Sequence, residues 1–554
     1  MARHGGKILA DQLVAQGVRR VFSVPGESFL AALDGLYQSG IENIVCRQEG
    51  GAAMMAEAYG KLTGQPGVLF VTRGPGVTNA SAGIHVAKQD STPMVVFVGQ
   101  IDSHHRDREA FQEVDYRGVF GTLAKWVAEV DDTERLPEYI SRAFHVACSG
   151  RPGPVVLALP EDMLSGLADV PDIAAPAPAP SAVSAEQVQA VARMLAVAER
   201  PLVVVGGSQW SEEAAADLAQ LAEAADLPVA VTFRRQDRMA NSHSHYAGDL
   251  GVGGNPKLFQ RLGEADCLLV LGARLGDIAT GGYEALRPAG PLPKLIHVHP
   301  DPDELGRVFR PDLAIAVPAP QMVATLARMA PGGHPERSAW RKAARAEAEA
   351  WRVPHETPGK VKMEEVVGWL SDNLPEDAVL TNGAGNFAAF LHRYYEYHRY
   401  GTQLAPTSGS MGYGFPAAIS AKLEHPGRVV VCLAGDGDFQ MTLNEFSTAV
   451  QHGAAVIVIV ANNGRYGTIR MHQERHYPGR VSGTDLANPD FAALARAYGG
   501  HGELVTEGAE FAGAFQRAEA SGKPAVIELR LDPEMLSTTK TVSEMREIGL
   551  KARG

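Results

Sequence analysis

Two clusters of residues in this chain have types and spacing suited to chemistry. Gly435-Asp436-Gly437 follows the apolar run Arg428–Ala434, and Asn462-Asn463 follows the apolar run Ala454–Ala461. Apolar runs bounded in this way read as buried strands. Open α/β sheets gather ligands at the carboxyl ends of their strands. Two parallel strands would therefore bring Asp436 and Asn463 to one edge. Asp436 offers a hard oxygen to Mg²⁺, which takes one or two protein oxygens and fills its shell with phosphate oxygens and water. The flanking glycines, Gly435 and Gly437, let the backbone approach a diphosphate closely. A Gly-Asp-Gly turn alone reads as a plain strand–helix–strand unit, and the helix and Asn-Asn at a second strand end make the pattern more specific.

The second cluster is NIVCRQEGGAAMM, where Glu49 follows an apolar run and opens a helix of small and apolar residues. A carboxyl in apolar surroundings is held nearer neutrality and can share a proton. A carboxylate at a helix N-terminus is also a favourable partner for the helix dipole. Taken alone, the residues favour the helix-partner reading. Glu57 lies within the same helix and reads as paired or solvated.

These residues need a frame. Ten short apolar runs recur along the chain: VRRVFSV, GVLFVT, PMVVFVG, PVVLALP, PLVVVGG, CLLVLGA, KLIHVHP, RVVVCLAG, AAVIVIVA and PAVIELRL. They alternate with helical patterns and are continuously apolar, as strands buried on both faces are. The fold class is α/β, in three domains, each a mostly parallel sheet flanked by helices. Composition shifts divide the chain into 1–170, 185–335 and 358–535. From Val170 a Pro/Ala stretch predicts an extended, semi-rigid linker. Residues 536–554 are polar and predict a tail or a lid, with disorder the favoured reading.

One internal repeat bears on the site. Gly60-Lys61-Leu62 and Ala421-Lys422-Leu423 are 361 residues apart, as are Gly74-Pro75-Gly76 and Gly435-Asp436-Gly437, and the strands at Val95 and Val456. The first and third domains therefore read as copies of one unit. Only the second copy has an acid at the turn.

The 554 residues carry a net charge of -13, which gives no help in binding nucleic acid or an anionic membrane. No apolar run is long enough to span a bilayer. The four scattered cysteines and the absence of an apolar h-region at the start predict a cytoplasmic protein. A nucleotide oxidoreductase is disfavoured because no GxGxxG links a strand to a helix.

The stretch from Gly435 through Asn463 resembles the thiamine diphosphate signature. Over nearly its full length the chain resembles acetolactate synthase-like carboligases, through GPGVTN, AFQEVD, Lys125, RPGPV and SMGYG. The resemblance implies two related thiamine-binding domains around a central Rossmann-like domain. It implies Mg²⁺ held by Asp436, Asn463 and the carbonyl of Arg465. It assigns the cofactor Pro25, Gly26, Asn79, Ala384, Gly385, Asn386, Phe387, Ser410, Met411, Gly435, Asp436, Gly437, Asp438, Asn463, Tyr466, Gly467 and Thr468. Glu49 becomes the activating acid, Gln112 faces the reacting carbon, and Lys125 sits near the substrate entrance. The family builds the site across subunits, so the resemblance implies at least a homodimer, with a homotetramer as the assembly. The substrates implied are 2-keto acids or aldehydes.

The chain also departs from the synthases. His472 stands where they carry a tryptophan, and Asn386-Phe387 where they carry Gln-His. RVSGTDL is similar to benzaldehyde lyase, and Ser28 stands at that lyase's active-site histidine. Ser28 and His472 thus join the catalytic candidates. ARLGDIATGG resembles the synthase flavin region, but the glycine- and methionine-rich stretch before it is replaced by TFRRQDRMANSHSHYAGDLG. FAD is therefore only half supported, and would be structural. The alternatives are a benzaldehyde lyase-like carboligase, a 2-keto acid decarboxylase, and a non-catalytic cofactor-binding protein.

Overall fold

A computed structural model describes residues 1–553 apart from 176–181, 330, 331, 333, 335, 336 and 536. The middle of the expected Pro/Ala linker, and part of the second boundary, lie outside the described residues.

Three six-stranded sheets, each parallel throughout, form the frame. In the first, the strands lie in the order Glu42–Val45, Arg20–Ser23, Gly67–Val71, Met94–Gln100, Pro154–Pro160, Trp126–Glu129. In the third, the order is Gln403–Leu404, Val379–Asn382, Val430–Gly435, Ile457–Asn462, Ala525–Arg530, His501–Val505. Counted within each domain, both run 2-1-3-4-6-5, which is the repeat read from sequence expressed as topology. The central sheet runs Tyr246–Leu250, Val229–Thr232, Pro201–Val205, Cys267–Leu271, Lys294–Val298, Leu313–Ile315. That is order 3-2-1-4-5-6, the Rossmann arrangement. All ten apolar runs form strands.

The two related domains pack through equivalent helices, Glu49–Thr63 and Gly414–Glu424. Both are rich in Gly and Ala, so their axes approach closely. Their contact belongs to one continuous apolar core that includes Ala52, Met55, Tyr413, Phe415 and Phe446. Gly83, on the neighbouring helix Gly74–Asp90, allows the same closeness: a Cβ there would lie 2.4 Å from that of Ala53.

The disordered reading of the chain end is corrected. Val542–Lys551 is a helix with a Thr541/Glu544 capping box. It buries Val542 and Met545 against Met471. Arg546 donates to both oxygens of Glu474, at 2.9 and 2.8 Å. The polar composition concealed a partner that lies 72 residues away in sequence.

Candidate active site

Strand Val430–Gly435 leads directly into the short helix Asp436–Phe439, and strand Ile457–Asn462 ends beside it. Asp436 is 2 % exposed. Its Oδ1 accepts from the Gly437 N–H at 2.9 Å. Its Oδ2 accepts from the Gly464 N–H at 2.9 Å and from Asn488 Nδ2 at 2.7 Å. Burial pushes its pKa up, and each group opposing that shift is a neutral N–H, not a cation. A buried carboxylate without a positive partner is costly. It is the donor a hard divalent cation matches.

Asn488 was not found in the sequence. Its Nδ2 also donates to Asn462 Oδ1 at 2.9 Å, so it ties the two strand ends together. Asn462 in turn donates to Glu528 Oε1 at 2.8 Å, which leaves Asn463 to face the cavity. Asp438 is buried and accepts from the Gly412 and Ala384 N–H groups at 2.8 and 3.0 Å. Burial raises it to about 6. It joins three loops at one point, and a Cβ at Gly383 would lie 2.1 Å from its Oδ1.

Around these groups lies a cavity of about 260 Å³. Its walls include Ala384, Gly385, Asn386, Phe387, Met411, Gly435, Asp436, Gly437, Asp438, Asn463, Arg465, Tyr466, Gly467 and Thr468. Of the cofactor residues expected from the third domain, Ser410 alone is outside that wall, although Gly409 and Met411 on either side of it are in it. Thr468 accepts from the Asn386 N–H at 3.0 Å, which ties the loop at 383–387 to the helix Gly467–His476.

The first-domain candidates gather separately, at the carboxyl ends of its strands. Glu49 opens its helix with Gln48 as N-cap, and its Oε2 accepts from Asn79 Nδ2 at 3.0 Å. Asn79 therefore does not cap the next helix, which begins at Gly74. Gln112 has a left-handed backbone, φ 67°, and its carbonyl accepts from the Gly74 N–H at 3.1 Å. Pro25 and Gly26 turn above them, and Gly26 lies against Thr72. Ser28 is fully buried, bonded to Thr72 Oγ1 at 2.8 Å and packed on Gly99, so its hydroxyl faces the protein interior. Lys125 donates to the carbonyls of Val146 and Ser149, both at 2.5 Å. It caps a helix end, a local role that the resemblance did not indicate. Glu49, Gln112, Ser28, Pro25, Gly26 and Asn79 do not line the cavity around Asp436.

His472 faces a second cavity of about 600 Å³, which shares Ala384, Gly385, Asn386, Gly409 and Thr468 with the first. Burial, and then Arg475 and His476, lower its pKa. A third cavity, about 320 Å³, lies at the carboxyl edge of the central sheet and is lined by Arg274–Ala279. Within the stretch that replaces the expected glycine- and methionine-rich residues, Arg234 and Arg235 are buried and bridge domains. Arg234 donates to the carbonyls of Pro406 and Gly383, at 2.5 and 2.8 Å, and Arg235 to that of Asp90 at 3.4 Å.

Two sheets of one winding, with a cation-hungry acid at the turn of only the second, flank a Rossmann-ordered sheet in a three-domain α/β fold suited to holding a metal-bound cofactor. The sequence matches the Thiamine pyrophosphate enzyme N-terminal TPP binding domain over residues 3–119, the central domain over 188–326 and the C-terminal TPP binding domain over 383–529. The chain belongs to this family and is a thiamine diphosphate-dependent enzyme that forms carbon–carbon bonds. It is acetolactate synthase-like. It is 31% identical over 534 residues to the acetolactate synthase isozyme 2 large subunit of Escherichia coli, covering 96% of each chain. It is 32% identical over 552 residues to the acetolactate synthase large subunit of Corynebacterium glutamicum, covering 95% of this chain and 86% of the relative.

Proposed function

We propose that the chain is a magnesium-dependent carboligase that joins a 2-keto acid to a second carbonyl compound, as an acetolactate synthase does. The observation carrying this reading is Asp436, a buried carboxylate at the meeting of two strand ends with only N–H partners. Asp436, Asn463 and the Arg465 carbonyl would hold Mg²⁺. The loops at 384–387 and 435–438, with Tyr466–Thr468, would hold the diphosphate. Met411 would support the cofactor between its two ends. The bound cofactor supplies an electron sink for a carbanion at the substrate's carbonyl carbon.

The chain's own residues do the rest. Glu49, oriented by Asn79, would hold and release a proton beside the aminopyrimidine of a bound cofactor. Gln112 and His472 donate to carbonyl oxygens. Ser28 acts through Thr72, as a positioning residue beneath Gly26. Because Glu49 does not line the cavity of Asp436 in its own chain, the working site needs a second copy, so the assembly is at least a homodimer and in this reading a homotetramer. All four cysteines are free, as befits the cytoplasm. FAD has no step here, since joining two carbonyl compounds transfers no net electrons. A visible flavin absorbance in the purified protein would make it a structural cofactor.

The test is reconstitution with thiamine diphosphate and Mg²⁺, followed by separate incubation with pyruvate, benzoylformate and benzoin. Acetolactate-type products from a 2-keto acid support the reading. Cleavage of benzoin with no keto acid consumed would overturn it in favour of a lyase.

A further inference from the structure

The cavity beside the diphosphate loops has an unusual charge. It is lined by Arg234, Arg475, Lys540, His392 and His472, and by no aspartate or glutamate. This stands out in a chain whose net charge is -13. Arg234 is the inner cation, and its charge is already opposed by buried Asp90, Asp438 and Asp249. Arg475 and Lys540 differ: neither forms a close ion pair with a carboxylate among the described residues, although Lys540 acts on Glu544 at longer range. The one acid on the helix of Arg475 is Glu474, which is engaged by Arg470, Arg546 and the Gly479 N–H.

The helix Gly467–His476 sets the distance. Thr468, Met471, His472 and Arg475 follow helical spacing and all face the cavity. Thr468 touches the diphosphate loop at Asn386, and Arg475 lies seven residues further on. At 1.5 Å per residue that is about 10 Å along the wall. A three-carbon keto acid fills only a small part of this cavity of about 600 Å³. Two buried atoms along the way, His392 Nε2 and Ser408 Oγ, have no hydrogen-bond partner. An unsatisfied polar group next to a cavity is poorly served by an apolar substrate tail.

We propose that the substrate is a 2-keto acid whose chain ends in a second anionic group, held at the far end of this cavity by Arg475 and Lys540. The proposal rests on the carboligase reading and specifies its substrate class. The reacting keto group lies beside His472, one turn beyond the diphosphate loops. His392 and Ser408 meet polar atoms of the chain, and the far anion meets Arg475, which has no close acid, and Lys540, which has only Glu544 at longer range. Lys540 belongs to the segment leading into the C-terminal helix, so docking of that helix completes the anion's seat.

The test uses the holoenzyme with thiamine diphosphate and Mg²⁺. It compares 2-oxoadipate with 2-oxohexanoate, a substrate of the same length that lacks the second carboxylate. A further arm replaces the terminal carboxylate by a phosphonate, which separates the two anions. The expected result is a kcat/KM at least about tenfold higher for one of the anionic tails than for the neutral one, carried mainly by KM. That preference should collapse toward unity in Arg475→Met/Lys540→Met, while cofactor binding, followed by tryptophan fluorescence, is retained. Equal or better turnover of 2-oxohexanoate, or a preference untouched by the double substitution, overturns the proposal and leaves the carboligase reading intact. Failure to bind cofactor, or to consume any 2-keto acid, removes the carboligase reading and this proposal together.

Discussion

Glu445 Oε1, in the third domain, accepts the Gln48 backbone N–H at 2.9 Å, one residue before Glu49. The same carboxylate accepts the Arg47 N–H and the Thr448 hydroxyl, and is fully buried. A Cβ on Gly51 would lie 2.6 Å from Glu445 Oε1. The start of the helix carrying Glu49 is thus held by the other copy of the fold. A group that must exchange a proton with a bound cofactor needs such fixed placement.

Glu445→Ala leaves these donors buried without an acceptor. The expected loss is about 2–3 kcal/mol of stability, read by chemical denaturation, together with lower kcat. Wild-type stability in that variant would mean the contact does not anchor the helix.

Glu49→Gln keeps the size of the side chain and its bond from Asn79 while removing the acid. Turnover should fall by about 10²–10⁴-fold with thiamine diphosphate affinity nearly unchanged. Steady-state kinetics with a fluorescence titration separates the two effects, and near wild-type turnover would remove Glu49 from the chemistry.

Asn488 donates to Asp436 and so orients a metal ligand without being one. Asn488→Ala should weaken Mg²⁺ binding by about 10–100-fold, with turnover recovered at saturating Mg²⁺. A Mg²⁺ titration of activity reads both. An unchanged midpoint would show that Asp436 needs no such support.

Lys61 pairs with Glu57 at 3.2 Å and with Asp90, and donates to the Ala405 carbonyl at 3.1 Å. Tyr413 donates to Glu57 at 2.5 Å, and Asp90 accepts from Thr407. The network joins the first and third domains. Lys61→Met leaves buried Glu57 without a cation, while Asp90 keeps Arg235, and the expected cost is about 3 kcal/mol, measured by urea unfolding.

Glu474 is held down at about 2 against an ordinary 4.5, chiefly by the Arg546 guanidinium. A carboxyl depressed in the folded state stabilises fully above its unfolded pKa and loses that contribution as pH falls. Docking of the C-terminal helix should therefore weaken between about pH 4.5 and about pH 2. Hydrogen exchange of residues 542–551 should quicken over that range, and Glu474→Gln should show fast exchange already at neutral pH. Exchange indifferent to both would assign docking to Val542 and Met545 alone.

The sequence by itself determined the strands buried on both faces, the repeat and the diphosphate turn, because each is a local pattern. A strand buried on two faces is apolar at every position. A turn that must admit phosphate and metal needs glycine and an acid at adjacent positions. The six edge strands, among them Tyr246–Leu250 and His501–Val505, were not among the ten apolar runs. Edge strands keep one side near solvent and carry mixed residues. Tertiary structure alone decided the relationships between distant segments. Asn488 reaches Asp436 across 52 positions, Glu445 reaches Gln48 across 397, and Arg546 reaches Glu474 across 72. A lone Asn, Glu or Arg carries no local mark of its partner, since its hydrogen-bonding capacity is the same wherever it lies. Lys125 and Ser28 were singled out by position in a resemblance, and only the fold shows their own partners, helix-end carbonyls for one and Thr72 for the other.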